Sequence, residues 1–267
     1  MGRIAECFEA LRGDGENGGK ALIPFVTAGD PDLGFTKDLI FRLEETGADL
    51  VELGVPFSDP MADGPTIQRA SFRSLKNGTS LRAILGMVGE IRKDVRLPLI
   101  LMTYYNPIFA MGEGGFVEAA VRAGVDGVII PDLPFEESAS LMDLTDGTPL
   151  DPIAMLAPTS TPERRVMICA SARGFIYYVA QLGVTGSREG LAGDLKDGLD
   201  NVKALTGLPV AAGFGIKTPE QAREVSRCCD GVIVGSALID VLDAETGPEA
   251  KLRAAGGFVR SLKNAIG

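Results

Sequence analysis

Short apolar runs alternate with amphipathic stretches along almost the whole chain. Eight runs stand out: residues 21–26 (ALIPFV), 48–54 (ADLVELG), 97–102 (LPLILM), 126–131 (DGVIIP), 152–156 (PIAML), 175–180 (FIYYVA), 208–215 (LPVAAGFG) and 230–235 (DGVIVG). Most are apolar at successive positions, as a strand buried on both faces of a helix-covered parallel sheet must be. The intervening segments carry helical spacing and helical punctuation. Phe35, Leu39, Ile40 and Leu43 share one face of a helix that Gly47 stops, and Phe116, Val117, Ala120 and Val121 share another that ends at Gly124. Thr161-Pro162 and Thr218-Pro219 each read as an N-cap followed by proline in the first turn, the second with Gln221 completing a capping box.

A unit recurs in which a helix ends at a small residue, an Asp or Pro follows and an apolar strand begins: ETGADLVEL, RAGVDGVII, TGLPVAAG, RCCDGVIV. Eight such strand–helix units in 267 residues predict an α/β fold, a (β/α)8 TIM barrel. A doubly wound open sheet shares this periodicity, but no GxGxxG turn follows the first strand. No linker or charge run divides the chain, so 1–267 is expected to be a single barrel domain. Two connections depart from the pattern. The interval from Leu53 to Leu97 contains PFSDPMADGP and is a candidate functional loop, since barrel active sites are built after the strands. Gln181 to Asp200, polar and glycine-rich, reads as a mobile lid.

Charge and composition narrow the chemistry. A net charge of −10 with no Lys/Arg-rich run argues against nucleic acid or an anionic membrane as partner. The N-terminus lacks the apolar core of a signal peptide, no stretch reaches the roughly 18 apolar residues of a membrane span, and the four cysteines have no zinc spacing. A cytoplasmic, reduced protein is expected. Histidine is absent, which removes the commonest general base and the commonest metal ligand, so no metal is expected. Proton transfer then falls to carboxylates, Tyr, Lys, Cys or water.

Against that background Glu52 is conspicuous, for it sits in an apolar strand near the strand's C-terminal end, where barrel enzymes place catalytic groups. There it serves either as an acid whose pKa burial raises, or as a carboxylate paired with a buried Arg or with backbone. Asp63, before Gly64-Pro65, is either an aimed carboxylate or a turn residue; Asp59, in Ser58-Asp59-Pro60, reads more readily as a turn. The turns AGFGI, with Gly213 and Gly215, and VGSALI, with Gly235 and Ser236 before a helical ALIDVL, offer main-chain N–H groups for a phosphate at the ends of the last two strands. Tyr177 either donates to a loop carboxylate such as Asp63 or fills the barrel. Asp132 falls in the layer beyond the fourth strand, without a chemistry readable from spacing.

Taken together, PFVTAGDP, ELGVPFSDPMADGPTIQ, MTYYNPI, IIPDLPFEE, GVTGSR, GFGI and GSALI resemble the tryptophan synthase α subunit family along nearly the whole chain. The resemblance implies a lyase that cleaves indole-3-glycerol phosphate to indole and glyceraldehyde 3-phosphate. It implies Glu52 and Asp63 as the catalytic carboxylates, with Tyr177 and Thr185 supporting Asp63 and the closed lid. Gly186, Gly215, Gly235 and Ser236 would hold the substrate phosphate, and Phe25 and Ile153 would line the indole pocket. It implies a β-subunit partner in an αββα heterotetramer, with pyridoxal phosphate on that partner and no cofactor on this chain. A stand-alone lyase, a catalytically idle allosteric partner and a sugar-phosphate isomerase barrel are the competing readings. The lack of His, and of Lys within any strand, sets the chain apart from zinc-dependent and Schiff-base aldolases.

Overall fold

A computed structural model of the chain describes residues 2–13, 18–179, 188–213 and 215–267. Among the described residues nine strands form one all-parallel sheet: β1 (Ala21–Thr27), β2 (Val51–Gly54), β3 (Leu99–Met102), β4 (Gly127–Ile129), β5 (Asp151–Pro152), β6 (Ala154–Leu156), β7 (Ile176–Val179), β8 (Val210–Gly213) and β9 (Gly231–Val234). The sheet runs β5-β4-β3-β2-β1-β9-β8-β7-β6, and β5 follows directly into β6 through Ile153. The eight expected strands are therefore nine, because the fifth run is shared. Its first half pairs with β4 (Val128↔Pro152) and its second with β7 (Met155↔Tyr177), and this single run closes the sheet into the (β/α)8 barrel.

Alternation along the strands sorts side chains into two cores. Val51, Leu53, Leu99 and Leu101 point outward and pack against the helical shell. Leu50, Ile100, Ile129, Ile153, Phe175, Ala211 and Ile233 fill the barrel interior. At its lower end this inner core is plugged by α1 (Arg3–Arg12), whose Ile4 and Phe8, spaced i and i+4, enter it, with the Phe8 ring 5.8 Å from that of Phe175. That short helix is not evident in the sequence pattern.

The shell follows its capping residues. Helix α2 (Leu33–Glu45) starts at Asp32, whose carboxylate accepts the Phe35 N–H at 2.8 Å, and buries Phe35, Leu39, Ile40 and Leu43. The long interval after β2 holds α3 (Pro65–Lys76) and α4 (Leu81–Ile91), while α5 (Tyr105–Met111) and α6 (Glu113–Ala123) follow β3. A short α7 (Ala139–Thr145) and α8 (Pro162–Ser171), capped by Thr161, flank the fifth run. Of the segment expected to form a lid, residues 181–187 lie outside the described residues, and from Arg188 it is helix α9 (Arg188–Lys203), in which Leu195, Leu199 and Val202 recur at helical spacing and are buried. In α10 (Pro219–Ser226) the Thr218 hydroxyl accepts the Gln221 N–H at 3.3 Å, and the Gln221 side chain reaches back to the Lys217 N–H at 2.8 Å, one residue before the cap. Helices α11 (Ser236–Asp243) and α12 (Pro248–Ile266) complete the ring, α12 packing on α10, α11 and α2.

Candidate active site

The upper, C-terminal rim of the barrel gathers the residues singled out in the sequence. Glu52 faces inward from β2, beside Phe25 of β1 and Ile100 of β3 in the strand register. It is fully buried, and neither carboxylate oxygen has a hydrogen-bond partner among the described residues. The pairing with a buried Arg or with backbone, left open by the sequence, is therefore not made there. Desolvation alone raises its pKa to about 8, so at neutral pH the side chain is a neutral acid with a proton to give.

Asp63 lies eleven residues on, in the loop after β2. Its own N–H donates to the Pro60 carbonyl at 3.1 Å, and its carbonyl accepts from the Gln68 side chain at 2.9 Å. Burial raises its pKa to about 6, and the Tyr104 hydroxyl offsets part of that rise. The two carboxyls therefore sit on opposite sides of neutrality, one protonated and one ionised, the arrangement that lets a pair of acids take different roles. Asp59 is exposed and accepts from the neighbouring Ser58 hydroxyl at 2.6 Å, which is the turn reading. Asp132 is also structural here, accepting the Tyr105 N–H at 2.8 Å at the start of α5.

Tyr177 enters the barrel from β7 and lies close enough to Glu52 and Asp63 for both to raise its pKa, after burial as the main cause. Among the described residues no hydrogen bond joins Asp63 to Tyr177; the rim tyrosine nearest its loop by hydrogen bonding is Tyr104, whose hydroxyl accepts the Ala62 N–H at 2.9 Å. Spacing gave no sign of Tyr104, which stands in the MTYYNPI motif after β3 without a readable chemistry.

Glycines shape the mouth. A Cβ on Gly54 would lie 2.4 Å from Phe25 Cζ, and one on Gly213 would lie 2.7 Å from the Tyr177 hydroxyl. Each ring thus lies across a glycine. Gly54→Ala is expected to displace Phe25 and to destabilise the fold by about 1–3 kcal/mol, a shift that chemical denaturation reads directly. Gly215 has φ +63°, a conformation that favours glycine. Gly235 precedes α11 and gives it no side-chain cap, so the first N–H groups of that helix, Ser236 among them, are left for another acceptor. A Cβ on Gly235 would meet Phe25 at 3.4 Å, which links the glycine turn, through Phe25, to the strand position beside Glu52. Thr185 and Gly186 lie outside the described residues.

Two cavities open at this rim. Phe25, Asp63, Met102 and Tyr104 line the smaller. Ile153, Met155, Ala62 and Asp132 border the larger, of about 730 Å³, and Pro131 borders both. Phe25 and Ile153 are thus placed on adjoining cavities rather than in one. Among the described residues there is no group of three or more Cys, Asp or Glu placed to hold a metal ion.

A parallel barrel whose rim carries a buried unpartnered acid, a loop carboxylate and glycine turns after its last two strands has the layout of a TIM-barrel enzyme. A family model for the tryptophan synthase alpha chain matches residues 11–267. The tryptophan synthase alpha chain of Geobacter sp. (strain M21) is 50% identical over 266 residues, covering 100% of this chain and 98% of that protein. Its counterpart from Synechocystis sp. is 47% identical over the full length of both. The crystal structure of tryptophan synthase subunit alpha from Legionella pneumophila superposes with a TM-score of 0.90 at 41% identity, covering 100% of this chain and 98% of that one. The chain belongs to the tryptophan synthase alpha chain family, lyases of indole-3-glycerol phosphate.

Proposed function

We propose that this chain, working as one domain, cleaves indole-3-glycerol phosphate with Glu52 as the acid and Asp63 as the charged acceptor. The observation that carries the reading is the burial of Glu52 without any hydrogen-bond partner among the described residues, a costly state that a proton-delivering role explains. Breaking the bond between indole C3 and the glycerol side chain needs an electron sink. Protonation of C3 by Glu52 makes the ring that sink, and ionised Asp63 accepts the indole N–H and stabilises the cationic ring. The side-chain hydroxyl then gives its proton to the Glu52 carboxylate, ionised by the first step, or to water, which expels indole and leaves an aldehyde. Phe25 and Ile153 supply apolar walls for the ring. Main-chain N–H groups around Gly213, Gly215 and Gly235, with the Ser236 hydroxyl and the N-terminus of α11, take the phosphate, joined in this reading by Gly186. Tyr177 fills the barrel beside both carboxyls, and Thr185 is assigned to the closed mouth.

The partner proposed is the tryptophan synthase β subunit, in an αββα assembly, with pyridoxal phosphate on that subunit and none here. Two of the most exposed large apolar side chains support a docking face at the mouth: Met61, 92% exposed in the loop before Asp63, and Phe109, 68% exposed on α5. Among the described residues no helix is long and apolar enough to cross a membrane, which agrees with a cytoplasmic site of action. The test is indole release from indole-3-glycerol phosphate by the purified chain, with and without a β subunit. Release is expected from the chain alone and is expected to increase on adding the partner, while Phe109→Asp should remove most of the increase and keep the basal rate. Ligand binding without indole under any condition would favour the idle allosteric reading instead.

A further inference from the structure

We propose that Arg73 is a positioning residue that ties α3 to α11 and so fixes the distance between the Asp63 carboxylate and the phosphate seat. The inference rests on the roles given above to Asp63 and to the N-terminus of α11. Those two features stand at the starts of neighbouring helices: Asp63 lies two residues before α3, and Ser236 opens α11. The two helices pack on each other. Their apolar inner contact is small, with Ala70 of α3 and Ile239 of α11 buried against Phe25 and Ile67 partly buried beside them. A contact of that size leaves the relative position of the helices to the polar groups along its outer edge.

Along that edge Thr66 and Arg73 of α3, seven residues apart and so on one helical face, meet Asp240 and Asp243 of α11. The Thr66 hydroxyl donates to Asp240 at 3.1 Å. Arg73 makes the stronger tie. Its Nε and Nη2 donate to the two oxygens of Asp30, in the loop after β1, at 2.8 and 2.6 Å, while Nη2 and Nη1 donate to the two oxygens of Asp243 at 2.8 and 3.3 Å. One planar guanidinium is thus forked into two carboxylates on two different elements. An isolated surface ion pair contributes little, but Asp30 and Asp243 are only 14% and 30% exposed, and the fork fixes both at once. One residue along, the buried Ser74 hydroxyl donates to the Ala28 carbonyl at 2.6 Å, so α3 is itself anchored at the end of β1. Arg73 carries that anchorage on to α11.

A substrate that spans Asp63 and the phosphate seat gains from both only while their separation matches its own length. A ligand that fills one half is indifferent to that separation. Arg73→Gln is therefore expected to lower kcat/KM for indole-3-glycerol phosphate about tenfold, less than the roughly 10²-fold that a 1 Å misplacement costs. The dissociation constants of indole and of glycerol 3-phosphate, each titrated alone and followed by NMR, should change by less than about twofold. Asp243→Asn keeps the shape of the side chain and cuts only the α11 arm, and it should give the same pattern. The double variant should lose no more than about twofold beyond either single one, because the two groups act together. Arg69→Gln removes the same charge about one turn away, where the approach to Asp240 is only 4.0 Å, and should leave all three quantities near their native values. An unchanged kcat/KM in Arg73→Gln and Asp243→Asn overturns the inference, as does a parallel weakening of both half-ligands, which would mark a general loosening of the fold. If Arg73→Gln does not fold, the Asp243→Asn result decides alone. Retained turnover in Glu52→Gln would reject the reading of the site itself, an outcome separable from any at Arg73.

Discussion

Glu52→Gln is expected to abolish indole release and, in the same molecule, to make the folded chain more stable at alkaline pH. Loss of a positioned general acid costs about 10²- to 10⁴-fold in rate. The amide has nearly the shape of the protonated acid, so nothing else at the rim need move. The stability effect follows from linkage. Burial raises the Glu52 pKa from its ordinary 4.5 to about 8, so the folded chain keeps a proton that the unfolded chain releases. The stability contributed by the Glu52 proton is therefore fully present below pH 4.5 and is lost as pH rises toward 8, by about 1.4 kcal/mol per unit within that window. The glutamine amide cannot ionise in either state, so the variant is free of this decline. Denaturant melts at pH 5 and pH 8 should thus show the variant close to the native protein at the lower pH and ahead of it, by an amount on the order of 4 kcal/mol, at the higher. A structural role for Glu52 predicts the reverse, a variant that is less stable and still active.

Asp63→Asn is expected to be the second most damaging change, by about 10²- to 10³-fold, the cost of removing one electrostatic stabiliser of a developing charge. Asparagine can still accept a hydrogen bond from an indole N–H, but it brings no negative charge to the cationic ring. The loss should therefore fall on kcat more than on KM, because the charge matters most when the ring is protonated. The acid limb near pH 6 should also disappear from the profile, since Asp63 supplies it, while the limb near 8 persists. Kinetics of the variant across pH values from about 5 to about 9 would decide; an unchanged acid limb would assign that ionisation to another group.

The two carboxylates differ in how far the sequence foretold them. Alternation set Glu52 and Leu50 on one face of the strand and Val51 and Leu53 on the other, but both faces of a filled barrel are apolar, so only the packing of Val51 and Leu53 against the helices turns Glu52 inward. What alternation could not tell was whether the carboxylate found a partner; that depends on Phe25, Ile100 and Tyr177, which arrive from other strands. The loop that carries Asp63 is tied to Tyr104 through the Ala62 N–H, and no local pattern joins positions 62 and 104. The same limit explains the fifth strand: a run of five apolar residues gives no sign that its halves pair with different neighbours, one with β4 and one with β7. After β7 the glycines and charges hid a helix, because Leu195, Leu199 and Val202 are few among polar neighbours and yet recur at helical spacing. Glycine turns at the ends of β8 and β9 were legible because the barrel pattern fixed which end of each strand they occupied. The plug formed by Ile4 and Phe8 was not, since two apolar residues one turn apart carry little periodicity.

The account depends on one physical state, a protonated carboxylic acid sealed inside the strand barrel at neutral pH. Site-resolved carbon NMR of the Glu52 carboxyl through a pH titration of the folded chain measures it directly. A midpoint near 8 is the predicted result. A midpoint in the ordinary range near 4.5 would mean the side chain is charged where it must be neutral, and the proposed chemistry at this rim would not hold.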